Sequence, residues 1–219
     1  MKKNLLLVLL TSFSVSLLAQ NIQLQAFPGY HYITTESGFV KGKEGSPYLG
    51  DWQEANVLFT NGNVMNNLLV RYNVYNNQML YQEKDNTYVI GAPDSLIHIQ
   101  FPDKTFIYKE YSSEGSAQKS FFEVAQTGKV SLLVKYEVEV IPANYNVALM
   151  SGNKNDVLSI VQKLYLQQGK TIVPITKKDR IFEVMSDKKS EVTTYMAKQR
   201  LSFKKKKDMM ALINYYNQL

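Results

Sequence analysis

The sequence predicts a mainly β fold, an antiparallel meander forming a sandwich or open barrel, followed by two or three short C-terminal α-helices. Three observations carry that expectation. Apolar and polar residues alternate with period two over much of residues 57–140. The runs are separated by turn segments too short to hold crossover helices, so the strands must pair mostly antiparallel. After residue 176 the apolar spacing changes to three and four. Of 219 residues, 45% are hydrophobic, and 15 Tyr with 10 Phe favour strands, so the chain can build a real core.

The expected organisation is a signal peptide over 1–19, an extended segment over 20–56, an antiparallel β domain over 57–140, a loop and β-hairpin over 141–175, and a basic helical tail over 176–219. Lys2 and Lys3 precede the apolar run Leu5-Leu6-Leu7-Val8-Leu9-Leu10, and small Ala19 stands at the expected cleavage position before Gln20. Thr11, Ser12, Ser14 and Ser16 interrupt that run, and no later segment approaches the ~20 apolar residues of a spanning helix. The expected product is exported and carries no transmembrane segment.

Within the β region, Val57-Leu58-Phe59-Thr60 runs into Asn61-Gly62, a pair suited to a tight hairpin because both residues tolerate positive φ. Over residues 68–75, Leu68, Val70, Tyr72 and Val74 share one face and Arg71 and Asn73 the other. Asn76-Asn77 and Asp85-Asn86 turn the chain into strands at 78–82 and 87–90. Further strands are expected at 95–101, 105–111, 120–126 and 131–140, with turns at Pro102-Asp103-Lys104 and Thr127-Gly128-Lys129. In the first of these, Ile97, Ile99 and Phe101 should face the core, with His98 opposite at the solvent edge. In the last, Leu132, Val134, Tyr136, Val138 and Val140 face one way and Lys135, Glu137 and Glu139 the other.

Residues 141–159 read as a polar connection around a short apolar patch, Val147-Ala148-Leu149-Met150. A hairpin over 163–168 and 171–175 follows, joined across Gly169. Thr176-Lys177-Lys178-Asp179 has the form of a capping box opening a helix over 177–185, with Asp in place of the usual Glu. Residues 188–199 align Val192, Tyr195, Met196 and Gln199, and residues 206–217 align Met209, Met210, Leu212, Ile213 and Tyr216, at helical spacing.

Composition removes whole classes of chemistry. With no Cys there are no disulfides, thiol nucleophiles, Cys-ligated zinc or lipid-modified cysteine anchor, and two histidines, His31 and His98, are too few for a multi-histidine metal site. There is no Gly-x-Ser-x-Gly elbow, phosphate-binding loop, dinucleotide fingerprint or His-Glu-x-x-His, and no cofactor is expected. Asp51, Glu54, Glu83, Asp85 and Asp94 offer carboxylates for a glycosidase pair, but their spacing singles out no two of them. His31, set between Tyr30 and Tyr32, reads as part of an aromatic segment packed on the sheet.

Two constellations remain. Tyr48, Trp52, Tyr75 and Tyr81 lie among Asn and Gln residues and supply flat aromatic faces of the kind that take sugars, with Trp52 in a Gly-Asp-Trp loop as the natural anchor. Charge supplies the other. Residues 20–150 hold 9 basic and 13 acidic residues, a net −4, whereas residues 151–219 hold 14 basic and 6 acidic, a net +8. Lys204, Lys205, Lys206 and Lys207 form the densest run, at a helix start where four ammonium groups oppose the helix dipole. An anionic partner offsets that cost, whether lipid head groups, lipopolysaccharide phosphates or an acidic protein surface.

The stretch Gly45-Ser46-Pro47-Tyr48-Leu49-Gly50-Asp51-Trp52, then Leu69-Val70-Arg71-Tyr72-Asn73-Val74-Tyr75 and the ending Leu212-Ile213-Asn214-Tyr215-Tyr216-Asn217-Gln218-Leu219, resembles a group of exported proteins of Bacteroidota-type bacteria. That resemblance implies a cell-envelope address and transfers no catalytic or binding residue. No C-terminal sorting domain of that phylum is recognisable, which makes the expected location the periplasm or outer membrane rather than the medium. The leading expectation is a non-enzymatic binding or scaffolding protein whose basic helices dock on an anionic surface or partner. A carbohydrate-binding module is the alternative, and a hydrolase with an unrecognised carboxylate pair ranks third. Export argues against a nucleic-acid partner.

Overall fold

The computed structural model describes residues 43–113 and 115–219. The expected signal peptide and His31 lie outside the described residues. The strands are β1 (Lys43–Glu44), β2 (Gln53–Phe59), β3 (Val64–Asn73), β4 (Gln78–Glu83), β5 (Asn86–Val89), β6 (Leu96–Gln100), β7 (Thr105–Ser113), β8 (Ser116–Gln126), β9 (Ser131–Ile141), β10 (Asp156–Gln168) and β11 (Thr171–Pro174). Three helices follow, α1 (Lys178–Val184), α2 (Lys189–Gln199) and α3 (Lys206–Asn217). The protein is thus mainly β with a helical C-terminal end, as the alternation and the later change of period predict.

All eleven strands belong to one open, mixed sheet, ordered β1-β10-β9-β8-β7-β6-β2-β3-β4-β5, with β11 also on β10. Two meanders, β2 to β5 and β6 to β10, are joined where the chain returns from β5 and lays β6 beside β2. Among the described strands only the two-residue β1 runs parallel to its neighbour, β10. Gly45, at φ +90°, lets it approach, since a Cβ there would stand 2.7 Å from the Leu158 carbonyl oxygen.

The main core lies between one face of the sheet and the helices. Val57, Phe59, Tyr72, Met79, Phe106, Phe121, Leu132 and Leu166 meet Ile181, Met185, Val192, Met196, Met209, Leu212, Ile213 and Tyr216 there. Behind the sheet, Tyr111, Phe122, Leu133, Tyr165 and Ile172 form a second cluster where β11 packs on β7. Tyr48, Leu80 and Val89 form a third, against Trp52.

Local details depart from expectation for identifiable reasons. At Asn61-Gly62 only Gly62 has positive φ, +85°. Gly62 N–H donates to Phe59 O and Phe59 N–H to Asn63 O, the pattern of a three-residue hairpin loop with glycine in the left-handed position. In β6 the pairing slips between Leu58/His98 and Phe59/Leu96, which turns Ile97 outward and buries Leu96 with Ile99 and Phe101. β10 begins at Asp156, well ahead of the expected 163, and pairs with β9 from Val157 to Gln167. Partial burial on both faces blurs its alternation. The capping box at Thr176 does not form: α1 starts at Lys178, its N-cap Lys177 is extended, and no side chain caps it. Among the described residues no helix is long and apolar enough to cross a membrane.

Candidate functional site

Strands β8 and β9 are paired at Glu123–Val134, Val124–Leu133 and Gln126–Leu132. Beyond that point the two part: β8 stays on β7 as far as Ser116, and β9 stays on β10 as far as Ile141. Asn77, in the β3–β4 turn, reaches into the gap with φ +52°, a conformation asparagine tolerates. Its Oδ1 accepts from the Phe121 N–H (3.3 Å), Ser120 Oγ (3.1 Å) and Tyr72 Oη (2.9 Å), and its Nδ2 donates to Lys119 O (3.2 Å). One side-chain amide thereby satisfies two backbone groups that a neighbouring strand would otherwise take.

The gap leaves a cavity of about 370 Å³, lined by Tyr72, Tyr111, Lys135, Tyr136, Glu137 and Gln118 among others. Lys135 Nζ donates to Tyr111 Oη (2.5 Å) and Glu137 Oε1 (2.9 Å), and Tyr111 Oη donates to Gln118 Oε1 (2.8 Å). Burial pulls the Lys135 ammonium down, but the bonds to Tyr111 and Glu137 outweigh it and hold the group above its ordinary value. Burial pushes the Tyr72 phenol well up. The Tyr136 phenol is raised by burial and then by its bond to the Glu123 carboxylate. The lining is therefore a set of phenols and amides, the Ser120 hydroxyl bonded to Asn77, the Lys135–Glu137 ion pair and the Lys119 ammonium, which is paired with Asp94, an arrangement suited to hydrogen-bonding a polar ligand. Among the described residues, no three His, Asp or Glu side chains converge on a point where a metal ion could sit.

The sequence-nominated aromatics do not form one platform. Arg71 lies between two of them, its Cζ 3.7 Å from the Tyr48 ring centroid and 4.5 Å from that of Trp52. Tyr48 is buried and Trp52 half-buried, both against Leu80 and Val89. Tyr81 is buried on the opposite face of β4, stacked on Tyr88 at 5.2 Å, and Tyr75 is exposed. His98 is half-buried opposite Leu58. Of the carboxylates, Asp94 is paired with Lys119 at 2.7 Å, and Asp51, Glu54 and Asp85 are exposed.

The lysine run divides. Lys204, Lys205 and Lys207 are exposed, whereas Lys206 turns inward and donates to Glu123, a carboxylate only 6% exposed that also accepts from Tyr136. Arg180, Lys188 and Lys129 are paired with Glu183, Glu191 and Asp187. No ion pair among the described residues engages Lys177, Lys178, Lys189, Lys204, Lys205 or Lys207. No family model, no curated protein and no solved structure matches this chain.

Sequence reasoning missed the cavity. Lys135 and Glu137 fall on the polar side of β9 and read as solvent-facing, and Asn77 reads only as a turn former. The signal that was present is the density of tyrosine and amide residues in β3, β7 and β8, which alone does not say where strands part.

Proposed function

We propose that this chain is an exported, non-enzymatic cell-envelope protein whose basic C-terminal helices dock on an anionic surface or partner. The observation that supports this reading is the set Lys177, Lys178, Lys189, Lys204, Lys205 and Lys207, which no ion pair among the described residues engages. The helices commit their apolar residues to the sheet, so what they offer outward is mainly charge. Six ammonium groups at ~1 kcal/mol each near an anionic membrane amount to a reversible attachment, steeply weakened by salt. Export rests on residues 1–19.

Co-sedimentation of the mature protein with outer-membrane vesicles, across a salt series, tests the reading. The comparison protein carries Lys204→Gln, Lys205→Gln and Lys207→Gln, with Lys206 left in place to keep Glu123 paired. Expected is pelleting that fades with salt and drops at least tenfold in the triple variant. Pelleting indifferent to both, or none at all, overturns it.

A second reading, a glycan ligand, is favoured by the polar cavity between β8 and β9 rather than by Trp52, whose ring already faces Arg71. Cell-wall sacculi in the same assay separate the two. Glycan binding would persist at high salt and be weakened by Tyr111→Phe with Gln118→Ala.

A further inference from the structure

The β9–β10 connection, residues 142–155, is a built structure. Asn146 and Ser151 exchange both backbone hydrogen bonds, at 2.8 and 3.3 Å. Asn144 N–H donates to Asn153 O (3.0 Å), and Asn153 N–H donates to Asn144 Oδ1 (2.8 Å). Asn146 Oδ1 accepts from the Leu149 N–H at 3.0 Å, and Met150 closes the turn at φ +48°. Gly152, at φ +101°, is required, because a Cβ would stand 2.6 Å from the Asn144 carbonyl oxygen.

This small hairpin holds its apolar side chains away from the protein. Val147, Leu149 and Met150 are 80%, 72% and 80% exposed, although the fold has a large core available to it. Below the tip stands half-buried Tyr145, with Lys154 Nζ 5.0 Å from its ring centroid. No acidic residue lies between Glu139 and Asp156, and Asp156 is already engaged by Lys43 and the Ala143 N–H. From tip to neck the order is aliphatic and thioether, then phenol, then ammonium.

We propose that residues 144–153 are a membrane-insertion wedge, in which Val147, Leu149 and Met150 enter the acyl layer of a lipid bilayer while Tyr145 and Lys154 sit at the head groups. The polarity gradient is that of the lipid–water interface, where Tyr and Lys mark the boundary and apolar residues lie deeper. Fluid hydrocarbon needs no shape complementarity, so flexible Leu and Met side chains suit it. Carboxylates stay at the base, where Glu44 accepts from Asn155 and Asp156 pairs with Lys43, and residues 140–155 carry none toward anionic lipid. The wedge is distinct from the lysine run at the start of α3: Lys206 meets Glu123 of β8, which also accepts from Tyr136 midway along β9, whereas the wedge follows the strand's last residue, Ile141. Five residue steps of strand, roughly 17 Å at 3.3 Å per step, run from Tyr136 to the strand's end at Ile141.

The test uses the mature full-length chain and uncharged phosphatidylcholine vesicles at high salt, where electrostatic docking is silent. Expected is pelleting that survives in the Lys204/Lys205/Lys207→Gln protein and falls at least tenfold in Val147→Asn/Leu149→Asn/Met150→Asn. All three positions are exposed, so unchanged circular dichroism should show the variant folded. Because the chain has no cysteine, Leu149→Cys carries an environment-sensitive fluorophore at one site. Its emission should shift to the blue on adding vesicles and be quenched by a quencher placed in the acyl chains. No wild-type pelleting, equal pelleting of the triple variant, an unmoved emission band, or lipid-free dimerisation that the triple variant abolishes would each overturn the wedge.

Discussion

Lys206 differs from the lysines on either side of it only by where the fold puts it. Its ammonium and the Tyr136 phenol together satisfy the Glu123 carboxylate, which is otherwise cut off from water. Removing the cation strands a buried charge, an effect of about 3 kcal/mol when the partner stays behind. Lys206→Met should therefore lower unfolding free energy by about 3 kcal/mol in urea denaturation, while Lys205→Met stays within about 0.5 kcal/mol of the parent. Adding Glu123→Gln to Lys206→Met should recover much of the loss, since no charge is then left unpaired. Equal costs at Lys205 and Lys206 would show that the ion pair is not holding α3 to β8. Four identical letters in a row gave no means of telling these roles apart, because pairing depends on which side chain points back over the sheet.

Strands behave similarly at the next scale up. Most were legible, because alternation with a buried face leaves a period-two signature, kept at Val70 and Tyr72 of β3 and at Val134 and Tyr136 of β9, whereas β4 buries Met79, Leu80 and Tyr81 in succession. Where a bulge shifts the register, the signature misleads. Ile97 and Ile99 are two residues apart and should share a face, yet Ile97 is 43% exposed and Ile99 fully buried. Ile99→Ala should cost about 2–4 kcal/mol through the cavity it leaves. Ile97→Ala should change stability by no more than about 0.5 kcal/mol. Thermal melts of the two proteins check this, and comparable destabilisation would place the bulge elsewhere. The helices were located closely by spacing, α3 to the residue, but the cap of α1 was not. A capping box needs the Thr side chain to reach a backbone N–H, and the chain leaving β11 enters α1 by another route.

Across the whole molecule, buried phenols link stability to alkaline pH. Burial, reinforced by Glu83 and Tyr88, lifts Tyr81 to about 12. Burial likewise lifts Tyr165 to about 12, against some lowering by Lys135, and Tyr72 and Tyr136 are raised further. In the unfolded chain these phenols ionise near 10. Below that pH both states keep their protons and the stability is present in full. Above it the unfolded chain loses protons that the folded one retains, so stability falls with rising pH through the folded values near 12. Tyrosinate absorbance should consequently rise together with loss of β-sheet circular dichroism, in one transition above pH 10. Gradual ionisation at the ordinary value with the sheet intact would show that these rings are wet.

The sequence by itself determined the fold class, the strand and helix periods, the basic bias of residues 151–219 and the apolar patch Val147-Ala148-Leu149-Met150, since each depends on neighbours within one element. Only the tertiary structure decided that β6 lies beside β2, that Tyr48 and Tyr81 are buried on different faces, that β8 and β9 part to leave a polar cavity, and that the apolar patch stands in solvent on a hydrogen-bonded hairpin. The physical reason is the same in each case. Local periodicity records which face of an element is apolar, whereas strand order, register slips and the meeting of side chains from distant elements are set by long-range packing, which leaves no period in the chain.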